Sequence, residues 1–160
     1  MQLSPLILKQ HFLTNISVKA NVPNFSSQDD LVKLLSACKS TITTKVEAAK
    51  NEENPRLWKV VLILECRPTA DSPFCPYLIN IELLGFFEVH QSVAESAVED
   101  LVRCNGPAIL FGSAREIILF ITGRGPSPPF VLPSVTFIDG SKENRKKAED
   151  AQNQQLVKKV

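Results

Sequence analysis

The sequence predicts an α+β protein: a four-stranded antiparallel β-sheet with helices packed on one face, assembled as an oligomer. Three observations lead there. Four segments before His90 alternate apolar and polar residues or are dense in β-branched ones, the period-2 pattern of strands. After Gln91 the period changes to that of a helix. The second predicted helix carries apolar residues around much more than one stripe, more than one sheet can cover.

The first strand is read from Leu6 to Val22, with Ile16, Val18, Ala20 and Val22 alternating against Ser17, Lys19 and Asn21, and Pro23-Asn24 ends it. Ser27 to Ala37 places Leu31, Leu34 and Leu35 at helical spacing behind two aspartates, which suggests a short helix or an ordered loop. Thr41 to Ala48 alternates again, and the polar run Lys50 to Pro55 is a turn. Leu57 to Cys66 is the strongest strand. Pro68 to Pro76 makes the next connection, and Tyr77 to Val89 is the fourth strand, with Gly85 inside it as a bulge or close-contact point. Short connections of this kind predict an antiparallel meander whose outer strands must be covered or paired with another chain.

Ser92 and Glu95 have capping-box spacing, so a helix is expected from Ser92 to Cys104, stopping at Asn105-Gly106-Pro107. A second helix then runs from Pro107 to Thr122 and ends at Gly123-Arg124-Gly125. Its residues Ile109, Phe111, Ile117, Ile118 and Ile121 are the candidates for an interface between copies of the chain. Pro126 to Pro133 is extended and unsuited to a central strand, and Val135 to Ile138 alternates weakly. The domain is therefore residues 1–139, followed by a polar helix or flexible tail at 140–160.

Composition narrows the function classes. A chain of 160 residues is about one domain's worth and buries roughly two thirds of its unfolded surface without staples. A formal net charge of +1 provides no long-range field for nucleic acid or an anionic membrane. The start MQLSPLILKQHFL lacks the basic beginning and apolar core of a signal peptide, and no uninterrupted apolar stretch has spanning length, so no membrane insertion and a cytoplasmic location are expected. Cys38, Cys66, Cys75 and Cys104 form no CxxC pair and lie far from any pairing with His11 and His90, so they read as scattered thiols of a reduced protein and no metal is called for.

Nor is an enzyme. His90 stands between a strand and a helix, a fair place for catalysis, but no serine or cysteine elbow accompanies it. The glycines at 106, 123 and 125 belong to no phosphate loop or dinucleotide fingerprint, so no cofactor is expected. Binding surface remains. Phe74, Tyr77, Phe86, Phe87, Phe130 and Phe137 fall where a single sheet is half exposed; most fill the core, and some line open grooves.

At this point the residues resemble a known family. Leu78 to Val89 (LINIELLGFFEV), Cys104 to Gly125 (CNGPAILFGSAREIILFITGRG) and Phe130 to Phe137 (FVLPSVTF) are similar to the SecB family of export chaperones, and Thr14 to Asn24 (TNISVKANVPN) fits its opening strand. The resemblance covers residues 6 to about 138, and the block Ile109 to Glu116 (ILFGSARE) is its most specific piece. It implies an ATP-independent holdase that binds unfolded or precursor polypeptides in apolar grooves, a homotetramer arranged as a dimer of dimers, and a long helix at the tetramer interface.

The resemblance also implies an acidic sheet surface for the translocase motor SecA, but the matching positions here are Asn15, Lys19 and Asn80, so that surface is neutralised and partly reversed. The tail lacks the Cys/His zinc motif often found in the family, and the helix after the P-V-x-F segment is charged rather than apolar. Engagement of SecA is left open by these departures. A general or export holdase, a chaperone dedicated to one partner such as an antitoxin, and a non-chaperone assembly module on the same fold all remain readings of the sequence.

Overall fold

The computed structural model describes residues 3–22, 38–72 and 74–137. Four strands, β1 (Leu6–Ala20), β2 (Ser40–Lys50), β3 (Leu57–Pro68) and β4 (Tyr77–Val89), form a single antiparallel sheet in the order β1-β4-β3-β2. The predicted meander is therefore only partly formed. Strands β2, β3 and β4 follow one another, but β1 pairs with β4, leaving β1 and β2 as the two edges. The reason is the connection spanning residues 21–39, which is long enough to join opposite edges of the sheet. The short helix or ordered loop expected at Ser27 to Ala37 and the polar tail at 140–160 lie outside the described residues.

The central strands alternate cleanly. Trp58, Val60, Leu62, Leu64 and Cys66 of β3, with Tyr77, Ile79, Ile81, Leu83, Phe87 and Val89 of β4, all point to one face and are at most 5% exposed. Strand β1 keeps this alternation only by breaking it twice. Register shifts between Leu8 and Gln10 and between Leu13 and Asn15 each insert one residue, so that Leu8 opposes Phe87, Leu13 opposes Leu83 and Ile16 opposes Ile81.

One helix, α1 (Glu95–Thr122, 28 residues), covers the face these residues share, where two were predicted. Asn105-Gly106-Pro107 does not stop it. Pro107 forfeits the amide bond to the carbonyl four residues back, a loss of about 3 kcal/mol in an isolated helix. Here Gly106 and Pro107 are buried, with Val102, Leu110, Ala114 and Ile118 at 0% exposure on the same side, and that packing outweighs the break. Gly106 also sets the approach of the helix: a Cβ there would stand 3.1 Å from Val60. Gly85 performs the same office from the sheet, where a Cβ would meet Phe87 at 2.7 Å and Leu110 at 2.9 Å, so it is a close-contact point and not the site of a bulge.

The predicted capping box is absent. Ala94 is the N-cap and makes no side-chain cap bond, while the Ser92 hydroxyl lies 2.9 Å from His90 Nδ1. Arg56 organises this turn instead, donating to the carbonyls of His90 (2.8 Å) and Val93 (3.0 Å). The merging of two helices also changes the membrane criterion: α1 is long and apolar enough to cross a bilayer by length and composition, a test that core helices of sheet domains pass as well.

After Thr122 the chain returns extended along the core without forming a strand. The Tyr77 hydroxyl donates to the Ser127 carbonyl at 2.7 Å, lies 3.0 Å from the Thr122 carbonyl and accepts the Ser127 amide. The Phe130 amide donates to the Thr122 hydroxyl at 2.9 Å, which itself donates to the Ile118 carbonyl. Leu132 is then seated in the core at 0% exposure.

Candidate functional site

The sheet has a second face that α1 does not touch. The register places Ile7, Phe12, Asn15, Ser17 and Lys19 of β1, Leu78, Asn80, Glu82, Leu84 and Phe86 of β4, and Leu57, Lys59, Val61 and Ile63 of β3 there. The central strands thus carry apolar residues at both parities, as strands covered on both sides do, although among the described residues a helix covers only one face. Phe12 and Phe86 are 43% and 41% exposed and meet edge to face at 6.4 Å between centroids.

At one end this face hollows into a cavity of about 420 Å³ lined by Leu57, Trp58, Phe86, Phe87, Ala49, Asn51 and three lysines, Lys9, Lys50 and Lys59. Charges border the strip and also enter it, at Lys59 and Glu82 on the central strands. Lys9 bonds Glu88 at 2.9 Å and Lys45 bonds Glu47 at 2.7 Å. The hydrogen bond from Lys45 holds the Glu47 carboxyl below its ordinary value.

The six aromatic residues predicted to line grooves separate by face. Phe86 lies on the open face. Tyr77 and Phe87 are 1% exposed and belong to the protomer's own core, where β4 turns them under α1, although Phe87 also borders the cavity at the end of the open face. Phe74, Phe130 and Phe137 are half-buried, Phe137 against Phe111 at 5.9 Å. The sequence reading missed Phe12, Leu84, Val61 and Ile63. The signal was the unbroken run Val60 to Leu64, which is apolar at both parities and so announces a second apolar face.

Of the predicted interface residues, Phe111 (5% exposed) and Ile118 (0%) pack on the sheet instead, because they fall on the helix stripe with Leu110 and Ala114. Ile109, Ile117 and Ile121 flank that stripe half-buried, and beyond them Leu119 and Phe120 are 42% and 63% exposed. The guanidinium of Arg124 sits 3.8 Å above the Phe120 ring. Asn15, Lys19 and Asn80 do come together, on the open face: Asn80 opposes Ser17, which lies between the other two on β1. Asn80 Nδ2 reaches Glu65 at 3.5 Å.

His90 is exposed and its ring serves the turn before α1, accepting the Ser92 amide at 3.2 Å. Among the described residues no group of three histidine, cysteine or carboxylate side chains is disposed to hold a metal. The arrangement suits contact with another chain: among the described residues, exposed apolar side chains stand on the open sheet face and on the outer side of the helix.

The comparisons with known proteins agree with this architecture. The family described as "Preprotein translocase subunit SecB" matches residues 5–147. The protein-export protein SecB of Cellvibrio japonicus is 33% identical over 101 residues, 63% of this chain and 59% of that protein. The protein-export protein SecB of Hyphomonas neptunium is 31% identical over 109 residues, 68% of this chain and 64% of that protein. The chain thus spans less than two thirds of the length of these relatives. Among solved structures, the Mycobacterium tuberculosis Rv1957 SecB-like chaperone, in complex with a ChAD peptide from the Rv1956 HigA1 antitoxin, superposes with a TM-score of 0.59 at 14% identity, covering 81% of this chain and 90% of that one. The family match runs through every strand and the helix described above, and the chain belongs to the SecB family.

Proposed function

We infer that the protein is an ATP-independent holdase, which captures unfolded or precursor polypeptides on its exposed apolar surfaces and releases them without chemistry. The observation that carries this reading is the exposed aromatic pair Phe12 and Phe86 on the open sheet face. Each large apolar side chain buried contributes roughly 1.5–3 kcal/mol, so a client covering four of them gains on the order of 6–12 kcal/mol before its ordering cost. That suits reversible capture. Family membership supports a non-catalytic role in the cytoplasm and in protein export.

The open side of α1 supports a homo-oligomer, and the reading includes a dimer of dimers whose contacts involve Ile109, Ile117 and Ile121. Light scattering by an unfolded, reduced client tests the function: suppression at near-stoichiometric protein, with both a precursor and an unrelated client, is the expected result, and undiminished aggregation of both would refute it. Adding SecA to the same assay reads motor engagement separately.

A second reading, a chaperone dedicated to a single partner, is favoured by the open face, where Asn15, Lys19 and Asn80 lack the negative charge that SecA engagement calls for. Suppression for one partner alone, with no effect on general clients, distinguishes it.

A further inference from the structure

Three of the four thiols, far apart in sequence, meet at one end of the sheet. Cys66 opposes Ile42 on β2 and Ile79 on β4, and is enclosed on the face beneath α1 at 0% exposure. The Thr69 amide donates to the Lys39 carbonyl at 3.2 Å, continuing the β2–β3 ladder past Ser40. Alternation then puts Cys38 on the same face as Ser40 and Ile42. Cys75 stands two residues before Tyr77, is buried in the same core, and donates its thiol to the Tyr77 carbonyl at 3.0 Å. The Ser72 hydroxyl accepts the Lys39 amide at 3.1 Å and donates to the Phe74 carbonyl at 2.8 Å, so the residue after Cys38 and the residue before Cys75 are joined by one bridge. Cys66 and Cys75 are buried, and Cys38 is half-buried.

We propose that Cys38 and Cys75 form a reversible disulfide, which ties the end of the β1–β2 connection to the β3–β4 turn when the thiol pool becomes oxidising. Oxidised glutathione is a sufficient oxidant. The Cys38 thiolate attacks one sulfur of that disulfide, forming a mixed disulfide and releasing one reduced glutathione. The Cys75 thiolate then attacks the Cys38 sulfur, the mixed disulfide breaks, and the second reduced glutathione leaves. Two electrons pass to glutathione, and the two thiol protons end on the two glutathione thiols.

Exposure selects the pair. Cys38 is the least buried member of the cluster, Cys75 lies on the segment bridged to it through Ser72, and Cys66 is fully buried. Burial, reinforced by the adjacent Cys75, pushes the Cys38 thiol up, and burial pushes that of Cys66 to about 11. The exchange is therefore slow at neutral pH and quickens as pH rises. The link acts on the start of β2, an edge strand, and fixes that end against the core. Cys104 is a built-in control: it lies on α1 eighteen residues before Thr122, roughly 27 Å along the helix axis from the end that Tyr77 contacts.

The test is to equilibrate the full chain in a series of oxidised-to-reduced glutathione ratios, quench by alkylation, and map peptides without reduction. The expected result is a Cys38–Cys75 cross-linked peptide, the loss of two alkylatable thiols per chain, reversal by dithiothreitol, and faster formation at higher pH. Cys38→Ser and Cys75→Ser each abolish the cross-link, and Cys66→Ser retains it. Four alkylatable thiols at every ratio, a stable glutathione adduct on Cys38 with no internal link, or a link through Cys66 would each overturn the proposal. The wild-type peptide map decides the matter even if a variant fails to fold.

Discussion

Phe86 and Phe87 are consecutive residues of β4, and the sheet assigns them opposite tasks. Phe87, 1% exposed, lies beneath α1 in contact range of Gly85, while Phe86, 41% exposed, lies on the bare face beside Phe12. The same contrast holds along β3 between Val60, Leu62 and Leu64 and their neighbours Val61 and Ile63. Both faces are apolar. They differ in what covers them, and so in where their burial energy appears: in folding on one side, in association on the other.

The comparison breaks most visibly at the covered face. Phe87→Ala is expected to cost about 3–5 kcal/mol, because it removes a full aromatic side chain from a site that α1 and the sheet hold rigidly. Urea unfolding monitored by circular dichroism reads it, and a loss below about 1 kcal/mol would mean the helix does not seal that face. The next effect in size is at the helix end. Tyr77→Phe leaves the Thr122 and Ser127 groups without their phenol partner, and a loss of about 1–3 kcal/mol is expected from the same measurement.

Phe86→Ala sharpens the contrast. Stability should change by less than about 1 kcal/mol, as for other exposed positions, while client capture weakens. With Phe12→Ala added, the protein required for half-maximal suppression of aggregation should rise several-fold. Unchanged suppression by a folded double variant would place client binding elsewhere, on the helix side. The smallest effect belongs to the rim. Lys9→Ala removes an ion pair with Glu88 whose side chains are 56% and 41% exposed, and about 0.5 kcal/mol or less is expected, disappearing in high salt.

Much of this was legible in the residues. The fourth strand has the bounds its residue pattern predicts, Tyr77–Val89, and of the two readings of Gly85, bulge or close-contact point, the second holds. The candidate surfaces were harder. Phe86 and Phe87 look alike in a list of aromatics, as do Ile117 and Ile118. Only the parity of a paired strand or the phase of a packed helix separates the inward from the outward member of each pair.

What the sequence determined by itself was local: where the chain alternates with period 2, where it turns, and that its apolar residues exceed what one face can hold. These follow from the direction of each Cβ relative to its neighbours, which the chain carries wherever it goes. What the tertiary structure alone decided was which strands pair, whether the helix survives its proline, and which thiols meet. The place of β1 beside β4 depends on closing a connection across the whole sheet. The continuity of α1 through Pro107 depends on burial of Gly106 against Val60. Cys38, Cys66 and Cys75 are gathered at one end of the sheet only once β2, β3 and β4 pair. Each of these outcomes balances a local cost against burial by residues distant in the chain, and that balance exists only in the folded protein.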